Sequence, residues 1–369
     1  MTALSDRIPD TPALLTPDWL TEALSAAGVL PTGGPRVASV TASPVGTGQM
    51  CDSLRLTLGY DGPTDGTVAP ATLVAKLPAA DPTSRETART LGSYETEVRF
   101  YQELAGTLPM RTPAVYHADI EPETAAFVLL LEDLAPAAPG DQLAGCSVAE
   151  AGVAVDELVK LHAARWGDPG LASYPWLAKD RDASAQFMLA LMPSLWDGFR
   201  ARYAAELGPE VHAAGDAVFA RLEGYLHADI EPWTILHGDY RLDNLLFDPR
   251  PGGTPIAVVD WQTCALGPGA QDLAYFVGAG LVPADRRAHE SALVDRYHAA
   301  LVAAGVDGDG YPRERLWRDY RRGTWAGLLM TVGAAMLVER TDRGDRMFLT
   351  MADRHARHAL DLDAAEVLG

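Results

Sequence analysis

The pattern of apolar and polar residues changes after the first third of the chain. In that part the two kinds of residue alternate, which is typical of half-buried strands. The alternation predicts strands over 37–41, 53–58, 72–77, 112–116 and 127–131. Between the third and fourth strands, Leu91, Tyr94, Val98 and Tyr101 recur at helical spacing and predict one helix over 84–108.

Beyond residue 133 the pattern is mostly helical. Residues 134–146 are rich in Pro, Gly and Ala and predict a linker, after which Ser147 and Glu150 form a capping box. Helices are predicted over 147–165, 180–207, 209–228 and 270–367, with short strands at 234–236, 244–247 and 256–260. The sequence therefore predicts an α+β protein of two lobes, a β-rich N-terminal lobe (1–133) and a mostly helical C-terminal lobe (134–369).

One hexapeptide, His-Ala-Asp-Ile-Glu-Pro, occurs twice, at 117–122 and again at 227–232. The flanking residues differ, so the two copies do not indicate a structural repeat. We interpret both as acidic turns ahead of strands rather than as metal ligands.

Charge and cysteine content exclude several classes of function. The net charge of −20 argues against a nucleic-acid surface, which needs clustered Lys and Arg. An acidic surface serves solubility or attracts a cationic substrate, and the composition does not separate the two. Three distant cysteines without a CxxC pair argue against disulfides and zinc, and fit a reducing cytosol.

No targeting or membrane segment is predicted. The N-terminus lacks the basic start and apolar run of a signal peptide, and the most apolar late stretch, 325–338, is too short to span a bilayer. We therefore expect a cytoplasmic protein with neither a membrane nor a nucleic acid as partner.

The strongest chemical signal is the segment His-Gly-Asp-Tyr-Arg-Leu-Asp-Asn at 237–244, followed by an apolar run that ends at Asp260. Phosphoryl transfer needs one carboxylate to orient a hydroxyl and two oxygen ligands to hold Mg²⁺. The spacing is that of a kinase catalytic loop, so Asp239 is the candidate catalytic residue, and Asn244 and Asp260 are the candidate metal ligands. We expect Asp272 to open a helix and accept backbone donors from this loop.

Three further features suggest a nucleotide site. Gly46, Thr47 and Gly48 lie between two strands and would let backbone N–H groups approach phosphates, although ordinary hairpin turns also hold glycines. Lys76 stands inside an apolar strand, where a lysine is costly unless paired. Its candidate partners are Glu95 and Glu97, and Glu97 lies closer to the apolar helix face.

The last strand of the N-terminal lobe ends in Leu131 and Glu132. Backbone groups at this position would hydrogen-bond an adenine edge, as a kinase hinge does. Nothing in that run selects adenine over guanine, so GTP remains an alternative to ATP.

In these motifs the chain resembles the aminoglycoside phosphotransferase and choline kinase superfamily, and within it the ecdysteroid kinase-like branch. The residues that carry the resemblance are Gly46-Thr47-Gly48-Gln49, Lys76, Glu97-Val98-Arg99-Phe100-Tyr101, Leu131-Glu132-Asp133-Leu134, Leu161-His162, His237 to Asn244, Asp260-Trp261 and Asp272-Leu273-Ala274. The resemblance implies a protein-kinase-like fold, ATP with Mg²⁺, and transfer of the γ-phosphoryl group to a hydroxyl of a small molecule.

The resemblance leaves the acceptor open. Asp260 is followed by Trp-Gln rather than Phe-Gly, and no Ala-Pro-Glu motif follows, so a protein acceptor is disfavoured. An aminoglycoside, a choline-like amine, a sugar, a nucleoside antibiotic or a sterol-like alcohol all remain possible. Candidate lining residues of the helical lobe are Trp196, Trp325, Met330, Glu339 and Asp342. The alternative from another class is a catalytically silent kinase fold that binds nucleotide or acts as a scaffold.

Overall fold

A computed structural model of the chain describes residues 8–46, 50–64 and 69–368. These residues divide into two compact units. Unit 1 comprises the described residues up to Thr107 together with Thr112–Ala135, and unit 2 comprises Leu108–Arg111 and the described residues from Pro136 onwards. The predicted α+β class is confirmed, with an antiparallel sheet in unit 1 and mainly helices in unit 2.

Unit 1 is built on a five-stranded antiparallel sheet with strand order β1-β2-β3-β5-β4. Its strands are β1 (Val37–Pro44), β2 (Cys51–Tyr60), β3 (Thr72–Pro78), β4 (Val115–Glu121) and β5 (Ala126–Glu132). Helix α1 (Pro17–Ala26) begins where the Thr16 side chain accepts a hydrogen bond from the Trp19 backbone, and it packs on one face of the sheet. Leu73, Ala75 and Leu77 point to that face, so side-chain alternation places Lys76 on the other.

The predicted helix over 84–108 is wrong as one continuous element. It is divided into α2 (Pro82–Leu91) and α3 (Ser93–Arg99), followed by a π-helical turn at Phe100–Leu104 and a 3-10 turn. Gly92 separates the two helices because its φ of +69° is left-handed, a conformation that ends a helix and that glycine adopts without steric cost.

Two other predictions also need correction. The fourth strand begins at Val115, not at residue 112, and it contains the first five residues of the first hexapeptide copy, His117–Glu121, which is therefore not an acidic turn. In that copy His117 packs edge-on against Trp19, with ring centroids 5.2 Å apart, so tertiary packing rather than local turn chemistry decides its structure.

Unit 2 contains most of the helices. They are α4 (Val148–Ala164), α5 (Arg181–Arg202), α6 (Pro209–Phe219), α7 (Leu222–Leu226), α8 (Ala270–Gly280), α9 (Pro283–Ala303), α10 (Arg313–Leu337) and α11 (Asp342–Asp361). Short strands form two ribbons, β6 (Ala138–Pro139) with β8 (Leu245–Phe247) and β9 (Ile256–Val258), and β7 (Thr234–Leu236) with β10 (Ala265–Gly267). Within the described ranges no helix is long and apolar enough to cross a membrane.

The segment predicted as a linker is a structured part of unit 2 from Pro136 onwards. Its β6 pairs with β8, and the Gly140 N–H donates to the carbonyls of Leu242 and Leu245. Gln142 is fully buried, with its side-chain amide donating to the Ala279 carbonyl and its oxygen accepting from the Leu242 N–H. The Pro, Gly and Ala content therefore reflects close backbone packing rather than a free connection.

Candidate active site

In unit 1 the central feature is a buried ion pair between Lys76 on β3 and Glu97 on α3. The Lys76 Nζ lies 2.6 Å from both carboxylate oxygens of Glu97, and the two residues are 7% and 1% exposed. Glu95 instead lies within 3.9 Å of Arg99 on the solvent side. The choice of Glu97 over Glu95 as the partner of Lys76 is therefore confirmed.

The other residues predicted to bind nucleotide in unit 1 have clear structural positions. Leu131 is buried in β5 opposite Val74. Glu132 ends that strand, where its side chain accepts from the Ala114 N–H at 3.0 Å and its own N–H donates to the Ala114 carbonyl at 2.8 Å. Gly46 has a left-handed φ of +79°, whereas Thr47 and Gly48 lie outside the described residues. Nucleotide contact by these residues stays a prediction.

In unit 2 the segment 237–244 forms a tight loop between β7 and β8. Asp272, in the first turn of α8, accepts hydrogen bonds from the N–H groups of His237 at 2.6 Å and Gly238 at 3.0 Å, which confirms the expectation for this residue. Behind it His162 is fully buried, 3.4 Å from Asp272 and 2.7 Å from the Tyr297 hydroxyl. An acidic side chain at a helix N-terminus thus holds the loop by its backbone.

His237 joins this loop to the segment that carries Asp260. Its Nε2 lies 3.0 Å from the Val259 carbonyl, while its Nδ1 accepts from the Asp239 N–H at 3.2 Å. Gly238 adopts a φ of +81°, and a Cβ there would lie 2.3 Å from the Thr263 carbonyl oxygen. The turn therefore requires glycine for two separate reasons, its backbone angle and the close approach of Thr263.

The carboxylate of Asp239 is held by three donors. Oδ2 accepts from the Arg241 guanidinium at 2.9 Å and from the Asn244 amide at 3.0 Å, and Oδ1 accepts from the Tyr275 hydroxyl at 2.5 Å. Because both oxygens are hydrogen-bonded, from the loop itself and from α8, the side chain has one defined orientation.

The candidate metal ligands Asn244 and Asp260 are brought together by the β8–β9 ribbon. Leu245 pairs with Val258, and the Val259 N–H donates to the Asn244 carbonyl at 3.0 Å, so Asp260 follows directly beside Asn244. Asp260 has a φ of +69°, a left-handed conformation that is uncommon outside glycine and that clusters at functional sites.

These two side chains suit Mg²⁺ in their chemistry. An amide oxygen and a carboxylate are hard ligands, and proteins usually hold Mg²⁺ through one or two carboxylates, with substrate phosphates and water completing the shell. Among the described residues no group of three or more His, Cys, Asp or Glu side chains could hold a metal ion.

Sequence reasoning left the role of Arg241 open and missed the contact that Arg343 makes with its neighbour Asp243. Arg241 is half-buried and bridges Asp239 and Asp243, lying 2.7 Å from the latter, and Arg343 of α11 also contacts Asp243 at 3.1 Å. Despite the desolvation that opposes it, the two arginines lower the pKa of Asp243. Arg241 thus braces the loop. Arg343 lies 100 positions after Asp243, and the sequence signal for this contact is only a basic residue near the start of a helix.

The residues predicted to line an acceptor pocket do not form one group. Trp196 and Trp325 are 4% and 0% exposed and belong to the apolar core of unit 2, with Met330 packed against it. Glu339 and Asp342 are exposed, as expected of surface acids. A cavity of about 670 Å³ lies elsewhere in unit 2, with Trp233, Leu266, Met188 and Leu226 among its lining residues.

Several solved structures share this fold. A choline kinase from Cryptosporidium parvum Iowa II superposes with a TM-score of 0.56 at 9% identity, over 88% of this chain and 89% of that one. The microcompartment-associated aminopropanol kinase gives 0.52 at 14% identity, over 94% and 99%. A Ralstonia eutropha jmp134 protein described as a candidate aminoglycoside phosphotransferase gives 0.51 at 18% identity, over 92% and 98%. At these identities the likeness concerns the fold alone.

Two sequence matches differ greatly in length. Mouse acyl-CoA dehydrogenase family member 10 is 44% identical over 50 residues, which is 14% of this chain and only 5% of that protein. Residues 46–305, which include every candidate residue from Gly46 to Asp272, match the ecdysteroid kinase-like family. The chain therefore belongs to the ecdysteroid kinase-like family, whose structural relatives include small-molecule kinases.

Proposed function

We propose that the chain is an ATP- and Mg²⁺-dependent phosphotransferase that moves the γ-phosphoryl group to a hydroxyl of a small molecule. The observation that carries this proposal is the fixed carboxylate of Asp239, held by three donors in a loop that ends at Asn244 and lies beside Asp260, two residues whose side chains carry oxygen atoms suited to Mg²⁺. A defined carboxylate orientation is what in-line transfer requires, because little other chemistry is needed from the protein.

Each residue has a distinct role in this proposal. Asp239 accepts the proton of the acceptor hydroxyl as the oxygen of that hydroxyl bonds to the γ-phosphorus of ATP and ADP leaves with the bridging oxygen. Asn244 and Asp260 would hold Mg²⁺, which would supply charge neutralisation on the phosphates. Lys76, oriented by Glu97, provides positive charge for nucleotide phosphates, and Gly46, Thr47, Gly48, Leu131 and Glu132 provide the remaining nucleotide contacts.

The acceptor belongs to a broad class of hydroxylated small molecules, among them antibiotics, amino alcohols, sugars and other metabolites. We also propose that the protein works in the cytoplasm, in line with its low content of three cysteines, which stand far apart in the sequence and form no CxxC pair. The lobes 1–133 and 134–369 would then carry nucleotide binding and catalysis respectively.

Replacing Asp239 and Asp260 separately tests the proposal. We expect Asp239→Asn to reduce turnover of Mg·ATP, with water or a hydroxylated metabolite as acceptor, by about a hundredfold or more, the usual scale for a general base. Nucleotide affinity, measured by isothermal titration, should change little. Asp260→Ala should abolish turnover and weaken binding only when Mg²⁺ is present.

A matched control is Asp295→Asn on α9, since that carboxylate pairs with Arg313 at 2.8 Å and lies outside the loop. Its turnover should equal that of the wild type. Full activity in Asp260→Ala would refute the proposed function. Nucleotide binding without any turnover in the wild type, across a library of hydroxylated metabolites and antibiotics, would instead indicate the silent kinase fold.

A further inference from the structure

The carboxylate of Asp239 has a limited number of positions for a substrate hydroxyl. A carboxylate offers about four lone-pair positions, two on each oxygen. Arg241 and Asn244 occupy both on Oδ2, and the Tyr275 hydroxyl occupies one on Oδ1 at 2.5 Å. One position on Oδ1 is left for an acceptor, and Tyr275 determines its direction.

Tyr275 reaches Asp239 because of its place on α8. It lies three residues after Asp272, hence on the same side of the helix. One helical turn therefore holds the loop twice, by its backbone through Asp272 and by its candidate catalytic side chain through Tyr275. Burial, and secondarily the charge of Asp239, raise the pKa of the Tyr275 phenol well above its ordinary value, so the hydroxyl stays protonated and donates.

The ring of Tyr275 is supported from behind by His355 of α11. The two ring centroids lie 5.2 Å apart, and His355 is fully buried. Neither ring nitrogen of His355 has a hydrogen-bond partner in the part of the chain that the structure describes. A buried polar ring without partners is costly, so it calls for an explanation other than its own hydrogen bonding.

Two glycines shape the space that His355 fills. A Cβ on Gly327 of α10 would lie 2.1 Å from the Cε1 of His355, and a Cβ on Gly278 of α8 would lie 2.9 Å from its Nδ1. Both glycines lie inside helices, where glycine is less favourable than alanine. Two helices, α8 and α10, therefore carry a glycine where alanine would favour the helix, and these glycines leave room for the imidazole of His355 beside Tyr275.

We infer that Tyr275 is a positioning residue for phosphoryl transfer: it leaves one direction on Oδ1 of Asp239 open to the acceptor hydroxyl, and His355 holds its ring in place. The inference rests on the proposed function, since it assigns a role relative to Asp239 as the proton acceptor. Tyr275 acts through Asp239 and needs no contact with the acceptor.

Tyr275→Phe removes only the hydroxyl, and Tyr203→Phe is its matched control. Tyr203 is also buried in unit 2, and its hydroxyl donates to Asp345 at 2.7 Å, a contact outside the loop. We expect Tyr275→Phe to lower kcat for Mg·ATP hydrolysis without added acceptor by about tenfold, the effect of losing one hydrogen bond to a charged group. The Kd of Mg·ATP should stay within about twofold of the wild type, since the change acts on the orientation of Asp239.

Tyr203→Phe should leave both quantities unchanged, and His355→Leu should lower kcat without changing the Kd. An unchanged kcat in Tyr275→Phe, or an equal loss in Tyr203→Phe, would overturn the inference. A loss of Mg·ATP binding equal to the loss of kcat would also overturn it, because it would indicate a general structural role.

A measurement that needs no turnover separates this inference from the proposed function. In protein labelled with carboxyl-¹³C aspartate, the Asp239 resonance is assigned by its loss in Asp239→Asn. It should shift in Tyr275→Phe and stay in place in Tyr203→Phe. An unmoved resonance overturns the positioning role even if the wild type is active. A wild type that neither binds nor turns over Mg·ATP refutes the proposed function while the resonance still tests the Tyr275 contact.

Discussion

The buried pair of Lys76 and Glu97 makes a quantitative prediction about stability. Glu97→Gln would leave the Lys76 ammonium, only 7% exposed, without the carboxylate that lies 2.6 Å away. Removing one partner of a buried pair costs about 3–5 kcal/mol, because the Lys76 ammonium loses its contact with the opposite charge of Glu97. The unfolding entropy scales with chain length, and for 369 residues it corresponds to about 1.3 °C per kcal/mol, so the melting temperature should fall by roughly 4–7 °C.

Glu95→Gln is the matched control, since it makes the same chemical change two residues earlier on α3. The Glu95 side chain is 38% exposed and lies 3.9 Å from Arg99, so its loss should cost about 0.5 kcal/mol or less. Calorimetry or denaturant unfolding of both variants measures the difference. Equal melting temperatures for the two would refute the assignment of a buried, mutually dependent pair.

A double replacement separates the structural role of this pair from its proposed nucleotide role. Exchanging both members of a buried ion pair for apolar residues of similar volume is often neutral or stabilising. We therefore expect Lys76→Met combined with Glu97→Leu to recover most of the lost stability. The double variant should nevertheless bind Mg·ATP much more weakly than the wild type in a titration, because it lacks the Lys76 ammonium. Recovered binding in the double variant would show that Lys76 does not contact the nucleotide.

Two further predictions concern unit 2. Gly238→Ala should lower the free energy of unfolding more than Gly252→Ala does. Both glycines are left-handed, with φ of +81° and +77°, so the backbone cost of alanine is similar. An added Cβ, however, would lie 2.3 Å from the Thr263 carbonyl oxygen at the first position and would have no neighbour within 4 Å at the second. Equal losses in denaturant unfolding would contradict the close approach. Burial, together with the charges of His358, Arg354 and Arg286, lowers the pKa of His355 to about 3. Below about pH 6.5 the unfolded chain therefore takes up a proton that the folded chain does not, and stability falls by up to about 1.4 kcal/mol per pH unit from this group. His355→Leu should remove that part of the slope between pH 6 and 4.5, and an unchanged slope would refute the neutral, buried state of this ring.

The contacts that could be predicted from the sequence are those that follow from a local rule. A lysine in an apolar strand must be paired, and helical periodicity put Glu97 rather than Glu95 on the buried side, as the structure shows. Likewise an acid at a helix start accepts backbone donors, which gave the correct expectation for Asp272. In both cases one residue and its immediate neighbours carry the information.

The contacts that were missed depend on residues far apart in the chain. Tyr275 stands in an apolar helix and looks like an ordinary core residue, and only the folded structure brings its hydroxyl to Asp239, 36 positions away. Gln142 lies in a stretch whose composition suggested a linker, yet its partners are Leu242 and Ala279. Gly92 shows the reverse case, since helical periodicity continues across it while its left-handed φ divides the helix.

The left-handed backbone of Asp260 has a consequence for how this protein can evolve. Replacement by glycine would relieve about 1–2 kcal/mol of backbone cost at this position, so selection for stability alone favours losing the carboxylate. Replacement by glutamate would keep the charge but retain the strain and move the carboxylate outwards by one carbon. If Asp260 holds the metal as proposed, its carboxylate is the property that offsets this backbone cost. A relative that lacks the proposed activity is expected to carry glycine at this position more readily than an active one.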